Sequence, residues 1–400
     1  MKIKSFISLI FTPLFAVLRI FIQKSNISLF CSTDMYRYSG NTKYLFEYFS
    51  SHSTDDCYWI TESLQVKKHL KSEGYKYISN DNILHKLYII LRSRTLYSSG
   101  TSYYNPFRLI SGDKNLIKIC TMHGTGPKLT IERSEDIKKT LRFITDINSY
   151  NYISFSTKYA GNIVGVNQLV LPKSKIKILG TPKQDILADK LEVSKRYSKK
   201  TMIKDFFGSN YNNQKIIYYS PTFRGYKSEL PLKIIENFNE EKFNSFLEKN
   251  NLCFLYSYHS LSNFKKGLKD TKNIKFIDIS TDHLFDNIQL MMEVDLLIGD
   301  YSTLSTDFSI LEKPQIFVIP DYSQVKKTKG FAEDFKSILP GKEVKTYDEL
   351  CQLIVECITN GKIYMSHFSK DISELSEKYI EDRKIKSCDK FLKFHNIINK

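Results

Sequence analysis

Seven cysteines, odd in number and scattered from Cys31 to Cys388, form no CxxC pair, and no histidine stands at zinc-finger spacing from them. This excludes a disulfide framework and a structural zinc site. Isolated thiols act as small hydrophobes in a reducing compartment, so the chain is expected to face the cytosol. No GxxxxGK[ST] occurs, which excludes a P-loop nucleotidase. Internal repeats and low-complexity blocks are missing too. No apolar stretch reaches the about 20 residues of a bilayer span. The amino-terminal run from Phe6 to Leu18 is cut by Arg19 and is followed by no small-x-small cleavage site. Acidic residues are the scarcer charge, 43 Asp and Glu against 59 Lys and Arg. The resulting +16 biases the surface toward polyanions, anionic lipid headgroups or phosphorylated substrates.

What is present is a globular composition, 42% hydrophobic and 26% charged, over 400 residues that suit two cores rather than one. Short apolar runs alternate with amphipathic stretches of helical length, the pattern of βα units around parallel sheets. Strands are expected at residues 27–31, 57–61, 95–98, 117–122, 152–156 and 176–179. Beyond a polar, Lys-rich junction at 190–213, a second series is expected at 215–220, 252–256, 274–277, 296–298 and 315–319. The expected organisation is an α/β protein with two domains, residues 25–195 and 196–375, a cleft between them, and a helical tail at 376–400. In residues 1–24, Lys2, Lys4, Arg19 and Lys24 flank an apolar face. This segment reads as an interfacial membrane helix or as a helix packed on the protein's own core.

Ligands of parallel sheets gather at the carboxyl ends of the strands, and four segments there carry chemistry. The first runs from a buried strand into His123, Gly124, Thr125, Gly126, Pro127 and Lys128. Its glycines allow close backbone approach, and His123 is either a general base or a hydrogen-bonded turn residue. The second ends in Thr222, Phe223 and Arg224, the arginine being a bidentate phosphate ligand or a surface group after a turn. A third strand leads to His259. The fourth runs from strand to helix through Gly299, Asp300, Tyr301, Ser302 and Thr303. Free amides at that helix start, beside the Ser302 and Thr303 hydroxyls, form an anion site, and Asp300 is expected to cap the helix while ordering the site.

In this order the segments resemble the CDP-glycerol glycerophosphotransferase family of teichoic-acid primases and polymerases, which includes capsule-polymer enzymes. The family's HGTPLK-like, PTWR-like, strand-end His, SDYSS-like and KPxIFxxPD-like motifs are matched by residues 123–128, 221–224, 259, 300–303 and 313–321. Further similarity lies at 40–44, 179–185 and 329–341. Pro127 stands one place later than the family's proline, Phe223 replaces a tryptophan and Thr303 a serine. The resemblance implies a GT-B-like fold, two Rossmann-like domains facing a central cleft, with the donor bound mainly by the second and the acceptor by the first. It implies transfer of a polyol phosphate from CDP-glycerol or CDP-ribitol to a hydroxyl of a lipid-linked saccharide or growing polymer, with release of CMP. His123 and His259 would be catalytic. Arg224, Thr222, Asp300, Ser302 and Thr303 would hold the donor phosphates, with Asn41, Gly124, Thr125 and Lys128 on the acceptor side. No DxD motif is present, and neither a metal nor a cofactor is expected. The expected setting is peripheral, on the cytoplasmic face of the cell membrane with its anionic surface as a partner, and no nucleic acid is expected. The alternative is a GT-B glycosyltransferase that uses a nucleotide sugar for surface polysaccharide.

Overall fold

The structure, a computed structural model, describes residues 21–100, 115–124, 126–129, 137–222, 224, 229–258, 267–380 and 384–399. The first half contributes β1 (Ile27–Cys31), β2 (Asp56–Ile60), β3 (Tyr77–Ile78), β4 (Thr95–Ser98), β5 (Ile117–Cys120), β6 (Tyr152–Phe155) and β7 (Ile176–Ile178). They form one parallel sheet in the order β3-β2-β1-β4-β5-β6-β7. The second half contributes β8 (Lys215–Tyr219), β9 (Leu252–Tyr256), β10 (Ile274–Phe276), β11 (Leu296–Gly299), β12 (Gln315–Phe317) and β13 (Lys342–Glu343). These are again parallel, in the order β10-β9-β8-β11-β12-β13. Strands covered on both faces carry unbroken apolar runs, and every residue of β1 and β9 is buried. In each sheet the chain order reverses beside the first strand, between β1 and β4 and between β8 and β11. A crevice opens at the carboxyl ends of strands at such a reversal.

Helix α1 (Asn41–His52) follows β1 and packs Phe46 against Phe30 and Trp59, with ring centroids 5.5 and 5.6 Å apart. The chain then leaves the first sheet through α2 (Pro182–Ala188) and α3 (Lys190–Lys199). Asp189 starts α3 by accepting the Leu191 and Glu192 amides. Arg196 of α3 lies 3.2 Å from Glu293 of the second-domain helix α4 (Asn287–Glu293), so a boundary at 195/196 falls inside a helix already packed on the second domain. Helix α5 (Thr303–Phe308) follows β11. The tail forms α6 (Ser369–Tyr379) and α7 (Ser387–Ile398), and α7 returns to the first domain. There Cys388 and Phe391 are buried in the cluster that holds Phe30 and Phe49. His395 sits 3.1 Å from Asp55 and 3.0 Å from the Tyr97 hydroxyl. Asp185 of α2 caps α7 by accepting the Ser387 and Cys388 amides, both at 2.9 Å.

Two differences from the expected elements have local causes. Met122 adopts a left-handed φ of 51°, so the strand expected to reach residue 122 stops at Cys120. β3 and β13 have two residues each, too few to show any alternation. All seven cysteines are free and six are buried. Among the described residues no helix is long and apolar enough to cross a membrane. Most of the expected amino-terminal helix, residues 1–20, lies outside the described residues, as do Thr125 and His259.

Candidate active site

Beyond β5 the backbone turns sharply, through Met122 at φ 51° and Gly124 at φ 149°. Three successive carbonyls of this turn are tied down. Asn41, buried at the start of α1, donates from Nδ2 to Thr121 O (3.1 Å) and Met122 O (2.8 Å). Lys183 donates from Nζ to His123 O at 2.9 Å. The remaining oxygen of Asn41 accepts the Lys183 amide at 3.2 Å, so this residue supports the loop from beneath rather than facing an acceptor.

His123 is exposed at this turn. Desolvation by the surrounding protein, then the charges of Lys183 and Lys128, lower its pKa from 6.5, against a hydrogen bond to the Ser99 backbone that raises it. The two charges act in the same direction as desolvation, and they do so at an exposed residue. At neutral pH the imidazole is uncharged and keeps a lone pair able to take a proton.

Gly124 and Gly126 bring this loop against the second domain. A Cβ on Gly124 would stand 3.1 Å from Thr303 Oγ1 and 3.3 Å from Lys183 Nζ, and one on Gly126 would stand 3.1 Å from Thr303 Cγ2. Glycine is what allows the His123 loop to lie on the start of α5. Further along, the loop is laced to the second domain as a short antiparallel ladder. Lys128 pairs with Phe331, Ala332 N donates to Pro127 O at 2.8 Å and Leu129 N donates to Gly330 O at 3.2 Å. Phe331 stacks on Tyr322 and Phe335, with ring centroids 5.6 and 4.9 Å apart.

In the second sheet, β8 and β11 flank the reversal. Arg224 is fully buried there. Its Nε and Nη2 meet the two oxygens of Asp321 at 2.7 and 3.2 Å, and Nη1 reaches Asp300 Oδ2 at 2.9 Å and Thr222 O at 2.7 Å. The guanidinium also lies 5.0 Å from the Tyr301 ring centre. Burial works against this charge, but Asp300 and Asp321 more than offset it and raise its pKa. Arg224 is therefore neither a surface arginine nor an outward-facing phosphate fork, but an internal strut between two carboxylates. Thr222 likewise gives its amide and hydroxyl to Asp300, both at 2.7 Å. Asp300 also accepts the Ser302 amide at 3.1 Å, yet the cap of α5 is Ser302, whose Oγ accepts the Leu304 amide at 3.2 Å. Asp300 thus ties the exit of β8 to the start of α5 without capping the helix. Of this group, Ser302 and Thr303 are half-buried, and Thr303 borders the His123 loop.

Lys183, Asp307 and Asp321 were not singled out from sequence. Each falls inside a recognisable segment, but Asp321 is 97 residues from Arg224, a pairing that periodicity does not reveal.

Two parallel Rossmann-type sheets, each with its reversal-point crevice, and a histidine loop lodged against a helix start of the opposite domain define a GT-B-type fold. Comparison with known proteins narrows this. The chain belongs to the CDP-Glycerol:Poly(glycerophosphate) glycerophosphotransferase family, whose sequence profile matches residues 14–383. It is similar to the teichoic acid ribitol-phosphate polymerase TarL of Staphylococcus aureus, at 25% identity over 356 residues, 85% of this chain and 58% of TarL. The chain thus spans somewhat over half of TarL's length. It is also similar to the teichoic acid glycerol-phosphate primase of Bacillus subtilis, 26% identical over 289 residues and 70% of each chain. A third relative is the teichoic acid poly(glycerol phosphate) polymerase of Bacillus spizizenii, 24% identical over 383 residues and 91% of each. Among solved structures, the wall teichoic acid polymerase TagF superposes with a TM-score of 0.70 at 17% identity, over 99% of this chain and 97% of that one. UDP-GlcNAc 2-epimerase of Neisseria meningitidis does so at 0.55 and 12%, over 94% and 100%. At such identities these two likenesses speak for the fold.

Proposed function

We propose that this protein transfers the polyol-phosphate group of a CDP-alcohol, CDP-glycerol or CDP-ribitol, to a hydroxyl of a lipid-linked saccharide or growing polymer in teichoic-acid or capsule-type synthesis. The observation that supports the reading is an exposed histidine held by a two-glycine loop against the start of α5, with two lysines that favour its neutral form. An acceptor hydroxyl beside His123 gives its proton to the imidazole as its oxygen attacks the alcohol-bearing phosphorus. The P–O bond to the CMP phosphate breaks, CMP leaves with that electron pair, and a phosphodiester remains on the acceptor. His123 then passes the proton to solvent. Charge on the transferring and leaving phosphates is met by the α5 start with Ser302 and Thr303 and by His259, with Lys128 on the acceptor side. Thr222, Arg224 and Asp300 keep that helix start in place.

Acceptors of this kind sit at a membrane, and the surface supports peripheral attachment on its cytoplasmic face. Phe21 is 81% exposed and Leu84 77%, with Ile83 and Tyr88 also exposed. Ile83, Leu84 and Tyr88 lie on one helix, and Phe21 lies on the segment that meets the far end of that helix. Lys24 Nζ donates to Leu91 O at 3.0 Å and Ser25 N to Arg92 O at 2.8 Å, which pins the 21–25 segment to the end of helix Ile83–Arg92. Apolar tips beside basic residues suit an anionic headgroup layer. The +16 charge is assigned to phosphate donors and lipid, and no nucleic-acid partner is assigned.

The test is CMP release from CDP-glycerol and CDP-ribitol, in parallel with nucleotide sugars, with membrane extract as the acceptor source. Release from one CDP-alcohol is expected. Consumption of a nucleotide sugar alone would move the protein to the glycosyltransferase reading.

A further inference from the structure

We propose that Lys183 is a positioning residue for the transfer, its ammonium gripping the His123 carbonyl and Asp307 together so that the base loop and the start of α5 are set as one unit. The inference rests on His123 acting as the base. Lys183 belongs to α2, on the path between the two sheets, and its side chain is 8% exposed. Its Nζ lies 2.9 Å from His123 O in the first domain and 2.6 Å from Asp307 Oδ2 in α5, the second a charge contact rather than an aligned hydrogen bond. The other Asp307 oxygen accepts from Gln184 Nε2 at 2.8 Å. The backbone amide of Lys183 binds the same Asn41 that holds Thr121 O and Met122 O. The three carbonyls before Gly124 are therefore fixed by one bracket, Asn41 with Lys183, and that bracket is anchored to the helix facing the donor.

A buried ion pair adds little net stability, because desolvation offsets the attraction. Fixing one arrangement is what such a pair does well. Gly124 leaves the space, since a Cβ there would come within 3.3 Å of Nζ. The charge has a second effect. Among the described residues, Lys183 and Lys128 are the cations whose charges act on His123, and both favour its neutral form.

The experiment compares full-length Lys183→Met and Lys183→Arg with the parent protein. It measures kcat/KM against pH, CDP-glycerol affinity, and the His123 imidazole pKa by NMR titration. Lys183→Met is expected to lower kcat tenfold or more, because small misplacements of reacting groups carry costs of that order. Its affinity for CDP-glycerol should stay near that of the parent. Its imidazole pKa and the acid limb of its pH profile should both rise by about one unit, the low end of what a neighbouring charge produces. Lys183→Arg should restore the limb. An imidazole pKa unmoved in Lys183→Met, or a loss of turnover that follows only a lowered melting temperature, would overturn the proposal. Asp307→Asn, which keeps the cation but loosens its anchor, serves if Lys183→Met fails to fold. That variant should lower kcat with the limb in place, and unchanged kcat there would also overturn the proposal. The imidazole titration needs no turnover, so it separates this inference from the base assignment, which falls only if His123→Ala remains active.

Discussion

Desolvation by the surrounding protein and the charges of two lysines extend the neutral form of His123 below the usual imidazole range, and the sign of that effect sets where the proposed activity should fail. Protonation would remove the proposed base, and a pKa lowered from 6.5 carries the neutral form to lower pH. The acid limb of kcat/KM should therefore fall below that of free imidazole, with activity still near its plateau at about pH 6. A limb at or above 6.5 would show that desolvation and the lysines do not act as described. Arg224 illustrates a different limit. Its residue type and its place after β8 were legible in the sequence, but its inward direction was not, because Asp300 and Asp321 reach it from 76 and 97 residues away. Arg224→Met leaves those two carboxylates facing each other in the interior. It should cost about 3–5 kcal/mol in unfolding free energy, the usual result of breaking a buried pair from one side. Denaturant melts that show a loss below about 1 kcal/mol, the scale of an exposed pair, would contradict the strut role.

At the scale of elements, long apolar runs are legible as strands because both faces of parallel strands are covered, as in β1 and β9. Where pairing is not local the sequence is silent. The ladder between Pro127–Leu129 and Gly330–Ala332 involves single residues far apart in the chain, although both pieces fall within motifs noted for their resemblance. This ladder holds the base loop, and backbone hydrogen bonds make it. Ala332→Pro removes the amide that donates to Pro127 O and leaves the surrounding side chains unchanged. Turnover should drop several-fold while the melting temperature moves little. Full activity in that variant would mean that the ladder does not position the loop.

For the whole molecule, two α/β domains and a cleft follow from length and the βα rhythm, whereas the way the domains are joined does not. The buried contacts of Lys43 with Asp286 (2.9 Å) and of Lys183 with Asp307 (2.6 Å), and the return of α7 to the first domain, unite residues separated by more than a hundred positions. The proposed membrane attachment is also a property of the whole surface. Leu84→Asp combined with Tyr88→Asp should reduce flotation with anionic vesicles without altering the fold, since both residues are exposed. Unchanged flotation would remove this face from the docking surface. The central claim concerns which bond breaks, and one measurement reads it directly. CDP-glycerol labelled with 32P at the glycerol-bearing phosphate is incubated with acceptor membranes and with either the parent protein or His123→Ala. The account predicts label in the acceptor, unlabelled CMP in equal amount, and transfer slowed by about a hundredfold or more in the variant. Label released as CDP, or undiminished transfer by His123→Ala, would contradict it.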